Sequence, residues 1–96
     1  MDVVLHVESK NMSKVKEILG KDDSVSRASM TWRSGAVIGK GDYFCLVSGS
    51  EEQCRKAIEI VKEVAKEADK KDADAFIAKI REEEDAAGAG LGGIFG

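Results

Sequence analysis

The sequence predicts a small α+β domain. A three- to four-stranded, largely antiparallel sheet carries two or three helices in the order β-α-β-β-α-α, and a flexible C-terminal tail follows. Three observations lead to this reading. Residues 2–8, 25–33 and 43–48 alternate or run apolar over strand lengths. Residues 12–19 and 51–80 carry apolar side chains at three- and four-residue spacing. From Ala86 onward the composition shifts sharply to alanine and glycine. With 96 residues the chain has the length of one domain. We divide it into a body at 1–81 and an acidic, then glycine-rich, tail at 82–96.

Each element has its own local cause. In 2–8, Val3, Leu5 and Val7 share one strand face, and Val4, His6 and Glu8 share the other. Asn11 is placed to cap a short helix with an apolar stripe of Met12, Val15, Ile18 and Leu19, and Gly20 to close it. In 25–33, Ala28, Met30 and Trp32 alternate with Arg27, Ser29, Thr31 and Arg33. Ala36-Val37-Ile38 reads as a short edge strand, and Gly39-Lys40-Gly41-Asp42 as a turn. Residues 43–48, Tyr-Phe-Cys-Leu-Val-Ser, form the most apolar strand and belong at the centre of the sheet.

Ser50-Glu51-Glu52-Gln53 is a capping box that opens a helix. Its inner face is Cys54, Ala57, Ile58, Val61, Val64, Ala65 and Ala68. Asp69-Lys70-Lys71-Asp72 interrupts the stripe, and Ala73, Phe76, Ile77 and Ile80 begin another. The pattern leaves open one bent helix or two. Helices on one face of the sheet are the expected packing. The opening β-α-β-β-α resembles a ferredoxin-like or ACT-like arrangement lacking its last strand, a resemblance of topology that implies no function.

Composition narrows the function classes. The chain is 43% hydrophobic and 34% charged, with a formal net charge of −3, and its pI is about 5.2. This balance argues against nucleic-acid binding through bulk charge. The apolar runs are too short to span a membrane. Met1-Asp2 opens a strand-like run without a basic, apolar leader. With two cysteines and no leader, the expectation is a cytoplasmic protein with reduced thiols. Abundant Lys and Glu, with one Asn, one Gln and no Pro, give a thermophile-like composition.

Gly35-Ala36-Val37-Ile38-Gly39-Lys40-Gly41 is not a phosphate loop. That motif needs four residues between its glycines and a hydroxyl residue after lysine. Here there are three, and Gly41 follows Lys40. Cys45 and Cys54 read as buried thiols, because nothing places His6 beside either one. Arg27, Ser29, Thr31 and Arg33 read as a solvent face, or else as an open sheet face for a small ligand or for dimerisation. Asp22, Asp23, Asp69, Asp72 and Asp74 are the candidate ligands for calcium or magnesium, although their spacing is not that of an EF-hand. No catalytic set is visible, so the chain reads as a non-enzyme.

The tail carries the most specific signal. Five of the ten glycines fall in residues 86–96, a density that opposes an isolated helix. Yet Leu91, Ile94 and Phe95 sit there at i, i+3 and i+4, which is the anchor spacing of a helix docked in a groove. The acidic run Glu82, Glu83, Glu84 and Asp85 precedes them and would steer the segment toward a basic patch. Glu82-Glu83-Glu84-Asp85 through Gly90-Leu91-Gly92-Gly93-Ile94-Phe95-Gly96 resembles the C-terminal tail of the acidic stalk protein of archaeal ribosomes. Ile94 stands in a leucine position of that pattern. The resemblance covers about the last fifteen residues and not the body. It implies an archaeal source and a tail that captures translation GTPases and related factors, with Leu91, Ile94 and Phe95 as anchors. The leading expectation is therefore a protein-binding module. A divalent-cation-binding protein and a sheet-face ligand or dimerisation module are the alternatives.

Overall fold

The computed structural model describes residues 1–85 with their side chains and residues 86–95 only as backbone of the last helix. Four strands, β1 (Asp2–Val7), β2 (Ser29–Ser34), β3 (Tyr43–Ser48) and β4 (Lys66–Glu67), form one sheet. Three helices accompany it: α1 (Met12–Lys21), α2 (Glu51–Val61) and α3 (Lys70–Phe95). The spatial order is β2-β3-β1-β4, with every neighbouring pair antiparallel. The chain order β-α-β-β-α-β in this arrangement is the split βαβ, or ferredoxin-like, topology. β3 and β1 take the two central places because their side chains are apolar on both faces.

Alternation along the two central strands feeds two separate cores. Val3, Leu5, Val7, Cys45 and Val47 point to one face and pack with Val15 and Leu19 of α1 and Cys54, Ala57 and Val61 of α2. Val4 and Phe44 point the other way and pack with Ala68 and with Phe76 and Ile80 of α3. The helices therefore do not all pack on one face of the sheet, contrary to the expectation from the sequence. α1 and α2 cover one side and α3 the other. The second apolar stripe, Ala73-Phe76-Ile77-Ile80, is what makes this possible, because it serves a different surface from the stripe in α2.

The question of one helix or two is resolved by the short strand between them. Hydrogen bonds from Val64 N and Ala65 N to the Val61 carbonyl wind up the end of α2. Lys66 and Glu67 then pair with His6 and Leu5, and Ala68 N donates to the Val4 carbonyl at 2.8 Å. Val64 and Ala65 still pack on the first core, but from a turn rather than from a helix. Asp69 starts α3 by accepting from Asp72 N at 2.9 Å.

Several local expectations are corrected. Ala36–Ile38 is not an edge strand but part of a 3₁₀ turn at Gly35–Ile38, started by Ser34 Oγ accepting from Ala36 N. Residues 25–27 are likewise a 3₁₀ turn, so Arg27 lies outside the strand face assigned to it. Asn11 does not cap α1; its Nδ2 donates to the Val64 carbonyl at 3.0 Å and ties α1 to the end of α2. Gly20 lies inside α1, which runs on to Lys21. A Cβ at Gly20 would meet nothing within 4 Å. Gly20→Ala is therefore expected to raise stability by up to about 1 kcal/mol, read as an upward shift of the urea midpoint. The capping box at Ser50 is present in full: Gln53 N donates to Ser50 Oγ at 3.1 Å, and Ser50 N donates to Gln53 Oε1 at 2.9 Å.

Candidate functional site

The acidic run lies on α3 beyond the part of the helix that packs on the sheet. Glu82, Glu83, Glu84 and Asp85 are all exposed. Glu83 Oε2 receives Arg33 Nε of β2 at 3.1 Å, and Glu82 pairs with Lys79 at 3.5 Å. Glu82–Asp85 thus continue the helix started on the body, and one of the four is tied back to the sheet. The side chains of the proposed anchors Leu91, Ile94 and Phe95, like those of the whole segment from Ala86 on where flexibility is expected, lie outside the described residues.

The candidate metal ligands are engaged within the protein itself. Asp22 Oδ1 accepts from Ser24 N at 3.0 Å and Val25 N at 2.9 Å, and Asp22 Oδ2 pairs with Lys56 at 3.0 Å. The Val25 amide, then the Lys56 ammonium, hold this carboxyl below the ordinary carboxylate range. Asp23 pairs with Arg27 at 3.2 Å. Asp69 caps α3, Asp72 faces Lys40 at 3.7 Å, and Asp74 pairs with Lys70 at 3.1 Å. Among the described residues, no group of three His, Cys, Asp or Glu side chains is gathered to hold a metal ion.

Both cysteines are buried and free. Burial pushes the Cys45 thiol up to about 12. Burial also raises Cys54, whose Sγ donates to the Met1 carbonyl at 3.3 Å. His6 cannot serve Cys45: its register partner is Phe44, so His6 and Cys45 point to opposite faces of the sheet.

His6 has a different partner, which the sequence reading missed. Its Nε2 lies 3.1 Å from Asp42 Oδ2, and its ring stacks on Phe44 at 4.7 Å between centroids. Asp42 stands in the left-handed region, at φ 61°, and its Oδ1 accepts from Ser9 N at 3.4 Å. The pair borders a cleft of about 270 Å³ that Asn11, Lys62 and Lys66 also line. The turn signal at 39–42 was legible, but its neighbour depends on the β1–β3 register. The His6 hydrogen bond, with smaller help from Ser9 N–H and the His6 charge, lowers the Asp42 carboxyl below its ordinary 3.8. A carboxyl lowered on folding stabilises above its unfolded value, and that contribution fades as pH falls through the lower folded value. Asp42→Asn is therefore expected to be less stable than wild type at neutral pH, with the gap closing as pH falls through the lowered carboxyl value. Thermal unfolding of both proteins from pH 7 down to 2 checks this.

The open sheet face is only partly open. α3 covers Val4 and Phe44, leaving the β2 side with Thr31 and Arg33 beside Ile80, Glu83 and Glu84. Trp32 faces the α1 side, with Lys16 Nζ 5.3 Å from its ring centroid. Among the described residues, no helix is long and apolar enough to cross a membrane. The fold is thus a split βαβ domain with a third helix on its second face. No protein family, no curated protein and no solved structure is significantly matched by this chain.

Proposed function

We propose that this chain is a non-enzymatic protein-binding module. Its α+β body carries a C-terminal segment that docks on a partner protein through Leu91, Ile94 and Phe95. Glu82, Glu83, Glu84 and Asp85 steer that segment toward a basic surface. The resemblance to the ribosomal stalk tail makes a translation GTPase in the cytoplasm the partner to test first.

The observation that carries this reading is the order of residues at the C-terminal end: four consecutive exposed carboxylates, then three large apolar residues at helix-face spacing on a glycine-rich chain. The state of the body supports it. Asp22, Asp23, Asp69, Asp72 and Asp74 are taken up in caps and ion pairs, and both thiols are buried.

The test is ¹⁵N relaxation of residues 82–96 in the full chain, alone and with an elongation-factor GTPase. Selective broadening of 86–96 on addition supports the reading. Deleting 86–96 is expected to abolish binding, and Phe95→Ala to weaken it about tenfold or more. Binding that survives the deletion would sink the proposal.

A further inference from the structure

We propose that the outer edge of β2 is a self-association surface. On it a second copy of the chain adds its own β2, antiparallel, about a two-fold axis at Thr31.

The two edges of the sheet are built differently. β4 is two residues long, and both residues, Lys66 and Glu67, are charged and exposed. A short charged strand is how proteins blunt an edge. β2 has six residues, no proline, and no charge from Ser29 through Trp32. It pairs with β3 on one side and, among the described residues, with no strand on the other.

The main chain indicates the register. The Trp32 carbonyl accepts from Arg33 Nη1 at 2.7 Å, so it faces outward, away from the β3 ladder. Alternation puts the polar groups of Met30 on the same outer side. These two residues flank Thr31. In an antiparallel pairing centred there, Met30 exchanges main-chain hydrogen bonds with the second copy's Trp32, and the two Thr31 residues form a non-hydrogen-bonded pair.

Side chains agree with this register on both faces. On one face the half-buried Met30 and Trp32 of opposite copies meet. On the other, Arg33 stands opposite Ser29. The groove around it holds one cation beside Glu83 and Glu84, so a two-fold brings each Arg33 toward the other copy's carboxylates. Centring on Trp32 instead would bring together the two Lys16 ammonium groups, each held over its own indole. Pairing requires Arg33 to release the Trp32 carbonyl, while its Nε contact with Glu83 can remain.

Sedimentation equilibrium of the full chain tests this. The weight-average mass is expected to rise from 10.3 kDa toward twice that value between micromolar and millimolar concentration. Thr31→Lys opposes two ammonium groups on the axis. It is expected to hold the mass at the monomer value while circular dichroism stays unchanged. In Thr31→Cys, oxidised glutathione should take two electrons from the paired thiols and leave a disulfide-linked dimer. Wild type, with both cysteines buried, should give none. Deleting 86–96 is expected to leave association intact, which separates this surface from the proposed docking segment. A monomer at every concentration overturns the proposal, and the edge then belongs to another segment of the chain or to a different protein. Association lost with the deletion, or without the Thr31→Cys cross-link, overturns it too.

Discussion

Phe76→Ala is expected to cost about 3–5 kcal/mol of folding stability. A domain of this length holds only about 5–14 kcal/mol in total, so the variant should sit close to its unfolding threshold. Phe76 is fully buried, and among the described residues it is the largest side chain that α3 contributes to the sheet. Its ring lies 5.6 Å from Phe44, which in turn stacks on His6. Val4, Ala68 and Ile80 complete the cluster. Removing the ring leaves a void between a helix and a sheet that are both held by other contacts, so little of the space can close. Urea unfolding followed by Trp32 fluorescence reports the loss from the opposite face of the sheet. A change below about 1 kcal/mol would mean that α3 is not part of the cooperative core.

Gly35→Ala is the second large effect, and its cause is space rather than backbone angle. Gly35 is buried at the start of the 3₁₀ turn. A Cβ there would collide with the Gly41 carbonyl oxygen and stand 2.9 Å from the Lys40 carbonyl oxygen and 3.0 Å from Phe44 Cε2. Two of these three atoms are main chain and cannot swing aside. The same loop is stitched by Gly35 N donating to the Asp42 carbonyl at 2.8 Å and Lys40 N donating to the Gly35 carbonyl at 2.9 Å. Making room for a methyl group therefore strains both hydrogen bonds and disturbs the turn that presents Asp42 to His6. The expected cost is about 1–3 kcal/mol. Gly39→Ala provides the contrast. Gly39 has φ 72° and nothing within 4 Å of its Cβ position, so its cost is conformational alone, about 1 kcal/mol. Thermal midpoints of the two variants measured side by side separate the causes. Equal losses would show that the close approach at Gly35 relaxes freely.

The local chemistry of this chain was legible where the cause is local. The Ser50–Gln53 capping box needs only four residues in a row, and it is found as read. The apolar run at 43–48 identifies the central strand because both of its faces are buried. Reading failed where two partners compete for one group. Asn11 has capping chemistry, yet its amide is taken by the Val64 carbonyl, a residue 53 positions away. Ala36-Val37-Ile38 has strand composition, yet Ser34 Oγ and the close packing at Gly35 turn it into 3₁₀. The five aspartates looked alike in sequence. Only the fold shows Lys56 beside Asp22 and Lys40 beside Asp72.

By itself the sequence determined the strand or helix character of the longer elements, the central strand, the two apolar stripes after Ser50 and the acidic-then-apolar order of the C-terminal residues. These follow from periodicity and neighbour chemistry, which act over a few residues. Only the tertiary structure decided that the second stripe crosses to the other face of the sheet, that a two-residue β4 makes the crossing, and that His6 meets Asp42. Each of these depends on which strands lie side by side and in what register. Register is set by the burial of both sheet faces at once, and no short window of residues contains that information.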